Sequence, residues 1–307
     1  MIDTMLKETE GSWGSKALLR TSALIAYLAL LHGPWPPWDR RLATLVSRVE
    51  GWSVPRGLLA LLLAALVLLI INLVLRYIAP RLVGILSGQG ITLSLLRRWF
   101  ARKLGREVRR AKAHPETLED LRLSYPEDER ELRPTRLGNI LRSAELYAPT
   151  RYEMETSILW PRLVHLLSDR DLKTLDDERD SLFFFVQMSL VSNLSAVGWC
   201  FSLPLAGLGP PWPLVLAVLL AGYLFYRLAL QPAKVYARLM RVYFDLYRRA
   251  LGKALGCPEP HNLQEEQEIW RLTSYYLLTG DAKPEDLAKL FSGRPEGSDD
   301  GPAAPAH

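Results

Sequence analysis

Apolar residues run in long blocks at three places along the chain. No Asp, Glu, Lys or Arg occurs between Arg20 and Asp39, between Arg56 and Arg76, or in the 46 residues between Asp180 and Arg227. A helix needs about 20 predominantly apolar residues to cross the hydrocarbon core, and it satisfies its own backbone while doing so. Each gap therefore predicts a crossing, and the third is long enough for two. The first crossing is placed at Thr21 to Pro37 and the second at Gly57 to Leu75. Trp35, Pro36, Pro37 and Trp38 close the first without a small-residue cleavage site, the pattern of an interfacial anchor rather than of a signal peptide. In the long gap, Gly207-Leu208-Gly209-Pro210-Pro211 supplies turn conformations and removes backbone donors. It leaves a hairpin of Ser181 to Ala206 and Trp212 to Leu230. The expected fold is an all-α integral membrane protein, with four transmembrane helices in two hairpins and a helical cytoplasmic region.

Outside the hairpins the period changes to that of amphipathic helices. The second crossing is expected to continue as helix to about Leu86, where Ser87-Gly88-Gln89-Gly90 ends it. A helix over about 92–113 carries Leu93, Leu96, Phe100 and Leu104 on one side and arginines on the other. Pro134 and Thr135 open a helix to about Tyr147, and Ser168 with Asp171 starts another that leads toward the third crossing. Past the fourth crossing, Pro232 introduces a helix over about Ala233 to Leu255. Tyr236, Leu239, Met240, Tyr243 and Tyr247 occupy one side of it and Lys234, Arg238, Arg241, Arg248 and Arg249 the other. The aromatic stripe is read as an oligomer interface. Helices over about Leu263 to Leu278 and Pro284 to Phe291 precede a tail from Ser292 that is expected to be disordered. The resulting segments are 1–86 with the first hairpin, a cytoplasmic 87–180, the second hairpin 181–230, cytoplasmic helices 231–291 and the tail 292–307.

Charge sets the orientation. The chain has 38 basic and 33 acidic residues, and twenty of the basic ones lie between Arg76 and Arg179. The positive-inside rule makes that stretch cytoplasmic. An even number of crossings then puts both termini inside, in a bacterial inner membrane. Arg40, Arg41, Arg48 and Arg56 in the outer loop run against the rule but are far fewer. Arg97, Arg98, Arg102, Arg106, Arg109 and Arg110 form the densest basic group, a surface for lipid headgroups or for an anionic cytoplasmic ligand such as a nucleotide or oligonucleotide.

The chain contains no phosphate-binding Gly-rich Lys loop, no HExxH helix and no Gly-x-Ser-x-Gly elbow, so no catalytic residue is assigned. Five scattered histidines lack metal-ligand spacing, and Cys200 and Cys257 fall in different regions, so neither a metal, a cofactor nor a disulfide is expected. The polar candidates lie in the membrane. Ser189, Ser192, Asn193, Ala196 and Cys200 fall within about 100° of one face of the third crossing. Such a face turns from lipid, either to bond a neighbouring helix or to flank a water-filled path, for which Asn72 in the second crossing is a further candidate.

One stretch resembles a known family. The segment RPTRLGNILRSAELYAPTRYEMETSILWPRL, Arg133 to Leu163, resembles a segment of uncharacterised bacterial multi-pass membrane proteins, which implies a bacterial membrane location and no particular activity. Arg136, Arg142, Glu145, Arg151 and Arg162, interleaved with Tyr147, Tyr152 and Trp160, read as a packed ion-pair network, or else as a polar pocket or subunit interface. The layout of hairpin, cytoplasmic region, hairpin and helical tail is analogous to homo-oligomeric channels such as bestrophins, without any bestrophin motif. The expected function is a homo-oligomeric membrane channel or pore-type effector gated from the cytoplasmic side, in anti-phage defence answering a nucleotide or oligonucleotide signal. The alternative is a non-conducting membrane-anchored scaffold or sensor subunit.

Overall fold

The structure is a computed structural model that describes residues 77–88, 118–205 and 212–280, together with isolated positions 22, 23, 26, 27, 55, 66, 70 and 74. Among the described residues the regular structure is helical throughout. The helices are α1 (Tyr77–Leu86), α2 (Leu118–Ser124), α3 (Arg136–Glu145), α4 (Tyr147–Tyr152), α5 (Thr156–Val164), α6 (Asp169–Leu205), α7 (Trp212–Ala254) and α8 (Leu263–Thr279). The predicted helices at 92–113 and 284–291, and most of the first two predicted crossings, lie outside the described residues.

Helix starts and stops follow local chemistry. α1 ends at Leu86, and Gly88 then takes a left-handed conformation at φ +81°. At the start of α3 the Thr135 hydroxyl accepts from the Gly138 N–H at 3.0 Å. Asn139 is fully buried and closes the preceding turn: its Nδ2 donates to the Arg133 and Thr135 carbonyls, and its Oδ1 accepts from the Arg133 N–H. Ser168 caps α6 by accepting from the Asp171 N–H. Asn262 caps α8 by accepting from the Glu265 N–H at 2.8 Å.

Two long helices organise the molecule. α6 has 37 residues and α7 has 43, so at 1.5 Å per residue they measure roughly 55 and 65 Å, about twice the hydrocarbon thickness of a bilayer. Each is long and apolar enough to cross a membrane. They pack antiparallel, with Asp171 beside Tyr243 and Tyr247 at one end and Ser189 beside Gly222 further along. Over the charge-free stretch, Leu194, Val197, Phe201, Trp212, Leu216, Leu220 and Leu224 are each more than half exposed, an apolar surface of the kind that lipid covers. At the other end the same helices enter a core with α3, α4 and α5, where Trp160, Tyr236 and Phe244 are the largest fully buried side chains and the Trp160 and Phe244 rings lie 5.6 Å apart.

Two expectations are corrected here. Pro232 does not begin a new helix: α7 runs through it, and Pro232 and Ala233 are buried. Burial against the core offsets what the missing donor costs. The stripe of Tyr236, Leu239, Met240, Tyr243 and Tyr247, read above as an oligomer interface, packs inside the single chain. Tyr236, Met240 and Tyr243 are at most 4% exposed in the single chain, and the partly buried Leu239 and Tyr247 pack against the same core.

The contact between α6 and α7 titrates. The Ser168 and Tyr247 hydroxyls both donate to the Asp171 carboxylate, each at 2.8 Å. These bonds, that from Ser168 foremost, hold Asp171 below the usual carboxylate pKa. A lowered pKa in the folded state adds stability that is complete above the unfolded value of about 4 and is lost as pH falls through the folded value. Tyr247→Phe removes one donor and is expected to melt below wild type at neutral pH, with the difference closing on acidification past about pH 4. Thermal unfolding across that range checks this, and a pH-independent difference would show that the bond to the carboxylate does not matter.

Candidate functional site

Polar side chains gather at two nodes. The first lies in the apolar half of α6 and α7. Ser189 and Ser192 are buried, and Ser189 Oγ donates to the Gly222 carbonyl of α7 at 2.9 Å. Ser192 Oγ bonds the Met188 carbonyl and exchanges a 2.8 Å hydrogen bond with the Tyr27 hydroxyl. Asn193 Nδ2 donates to the Ser189 carbonyl, and its amide lies over Gly222, where a Cβ would come within 2.6 Å of Nδ2. Ala196 is buried with Trp199, Val215 and Val218, and Tyr27, Cys200 and Leu214 pack on that cluster. Tyr27 also meets Phe225 edge to face at 5.7 Å. The predicted polar face is thus brought together, and its hydrogen bonds close onto α7 and Tyr27 of the same chain. Asn72 lies outside the described residues.

The second node lies outside the charge-free stretch and centres on Asp245 of α7. The Tyr147 hydroxyl donates to both carboxylate oxygens at 2.9 and 2.8 Å, and the Tyr152 hydroxyl donates to Oδ1 at 2.6 Å. Burial, and then the bond to Asp245, raises the pKa of both phenols, so they stay protonated donors. Three guanidinium groups cover the rings: Arg241 lies 5.1 Å from the Tyr147 centroid, Arg248 4.7 Å from that of Tyr152, and Arg151 within 6 Å of both. Arg241 also reaches the Arg122 and Ser143 carbonyls, and burial lowers its pKa. Arg248 pairs with Glu266 of α8 at 2.8 Å. The node therefore ties α2, α3, α4 and α8 to the long helix α7.

The segment 133–163 supplies Ser143, Tyr147, Arg151 and Tyr152 to this node and carries an ion-pair cluster of its own. Arg142 bridges Glu131 at 2.6 Å and the buried Glu145 at 2.7 Å. Arg162 donates to the Ile158 carbonyl, Trp160 is core, and Arg136 is exposed. Arg97, Arg98, Arg102, Arg106, Arg109 and Arg110 lie outside the described residues. Asp245 was missed, although it is the single acidic residue in α7 beside seven basic ones, a pattern that marks an acid with several claimants. Tyr27 and Gly222 carry no comparable signal. The chain matches no protein-family model, no curated protein and no solved structure, so its function is argued from its own residues.

Proposed function

We propose that the chain is a four-crossing, membrane-anchored sensor or scaffold subunit that does not conduct ions. The observation that carries this reading is the use of the α6 polar face. Ser189, Ser192 and Asn193 spend their hydrogen bonds on Gly222, on Tyr27 and on their own helix, which leaves little for lining water. Support for sensing comes from continuity. The Asp245 node sits on α7, and α7 continues unbroken from it into the apolar half of the helix. The channel-type effector remains the competing reading.

Purified protein in liposomes separates the two. No ion flux above that of empty liposomes is expected, with or without nucleotides on the cytoplasmic side. Asn193→Leu is expected to change only how α6 packs on Gly222, because the Asn193 amide bonds its own helix. Flux that disappears in Asn193→Leu would restore the channel.

A further inference from the structure

A cleft of about 700 Å³ opens at the end of α7, where the chain turns back into α8. Its walls are fixed by local structure. Gly256 is left-handed at φ +75°, the Cys257 N–H donates to the Gly252 carbonyl at 2.9 Å, and two prolines at 258 and 260 stiffen the turn. Beyond the turn, Asn262 caps α8 and the Glu265 carboxylate accepts from the His261 N–H, which fixes where α8 begins. Apolar residues form the floor: Trp270 and Ile269 of α8 face α7 at Gly252, whose absent Cβ would sit 3.6 Å from the Trp270 ring.

Among the described residues the rim carries two cations that no side chain pairs, one of them Lys253 in the last turn of α7, where the helix dipole also favours a cation. Arg248 is committed to Glu266. Arg249 and Lys253, one turn apart on α7, are both exposed, and among the described residues neither has an ion-pair or hydrogen-bond partner. Like charges four residues apart destabilise a helix slightly, and an anion held between them reverses that term. Glu259 is the remaining acid in the lining. The volume lies within the range of small-molecule sites, which combine an apolar floor with a few placed polar groups.

From this juxtaposition we propose that the cleft binds a small anion carrying a planar apolar group, the composition of a mononucleotide, with the anion between Arg249 and Lys253 and the ring over the floor at Trp270 and Ile269. The proposal rests on the sensor reading, to which it supplies the input. The cleft lies at the far end of α7 from the apolar hairpin, so occupancy acts on a helix that reaches the membrane.

Equilibrium dialysis of the full-length protein in detergent provides the test, with adenosine monophosphate, adenosine and inorganic phosphate as separate probes. The monophosphate is expected to bind, and adenosine or phosphate alone to bind at least tenfold more weakly. Arg249→Glu and Lys253→Glu alter exposed, unpartnered side chains, leave the fold intact, and are each expected to weaken binding by roughly tenfold or more, the change that about 1.4 kcal/mol produces. In a Cys200→Ser background the bound monophosphate is expected to slow alkylation of Cys257, which lines the cleft. Absence of binding by the wild-type chain, or equal binding by both charge-reversed variants, overturns the proposal. Binding that leaves the amide exchange of α7 residues 212–230 unchanged upholds the cleft and removes the sensing role.

Discussion

Gly138→Ala is expected to destabilise the protein by roughly 2–3 kcal/mol, although the same change at an open helical position stabilises by about 1 kcal/mol. The sign reverses because of what the missing side chain admits. A Cβ at Gly138 would lie 2.2 Å from the Ser87 carbonyl oxygen and 2.9 Å from Arg133 Cβ. The first of these is backbone, so no rotamer change relieves the overlap, and the end of α1 and the start of α3 must part by about an ångström to reach ordinary contact. Parting them also loosens Gly88 from Pro134, which closes on it so tightly that a Cβ at Gly88 would lie 2.9 Å from Pro134 Cδ. A drop of roughly 5 °C or more in thermal midpoint is expected. Gly198→Ala provides the contrast. Gly198 sits in α6 with nothing among the described residues within 4 Å of an added Cβ, and its replacement is expected to be neutral or slightly stabilising. Equal effects at the two positions would show that α1 and α3 do not approach this closely in solution.

The sequence revealed those parts of the fold that local chemistry decides. Leu86 followed by Ser87-Gly88, Thr135 before α3, Ser168 before α6 and the span of α8 were legible because caps and left-handed glycines act within a few residues. Pro232 misled because a proline announces what it costs the helix but not the packing that offsets it. The stripe from Tyr236 to Tyr247 misled for a related reason: periodicity shows that a face is covered, and gives the same signal whether the cover is another copy or the chain's own α3, α5 and α6. The polar face of α6 was legible as a face, since Ser189, Ser192 and Asn193 follow the helical period. Its partners were not, because Gly222 and Tyr27 lie 33 and 165 residues away from the serines they bond. The Asp245 node was half legible. Its two tyrosines and Arg151 stand out within 133–163, while Arg241, Arg248 and the carboxylate itself lie about a hundred residues on.

That carboxylate is where the largest single loss is expected. Asp245→Ala removes the acceptor of hydrogen bonds from two tyrosine hydroxyls, and bonds to an ionised group are worth about 1.5–3 kcal/mol each. The hydroxyls are left in part-buried surroundings, and Arg151, Arg241 and Arg248 remain over the same two rings without the nearby negative charge. Arg248 keeps Glu266, and Arg241 keeps the Arg122 and Ser143 carbonyls, so the network is not erased and the loss is bounded at roughly 3–5 kcal/mol. Asp245→Asn retains an acceptor without the charge and is expected to cost about half as much. A double-mutant cycle identifies the mechanism. Once Asp245 is alanine, Tyr147→Phe and Tyr152→Phe are expected to cost little further, because the hydroxyls they remove have already lost their partner; strict additivity would mean that the tyrosines are held by packing alone. The damage is also expected to be local. The node joins α4 to α7, whereas Ser189, Gly222 and Tyr27 join the apolar halves of the helices independently. Limited proteolysis of Asp245→Ala should therefore open the segment 146–155 first while 181–205 and 212–230 stay protected, and simultaneous loss of both regions would mean that the long helices depend on the node for their own pairing.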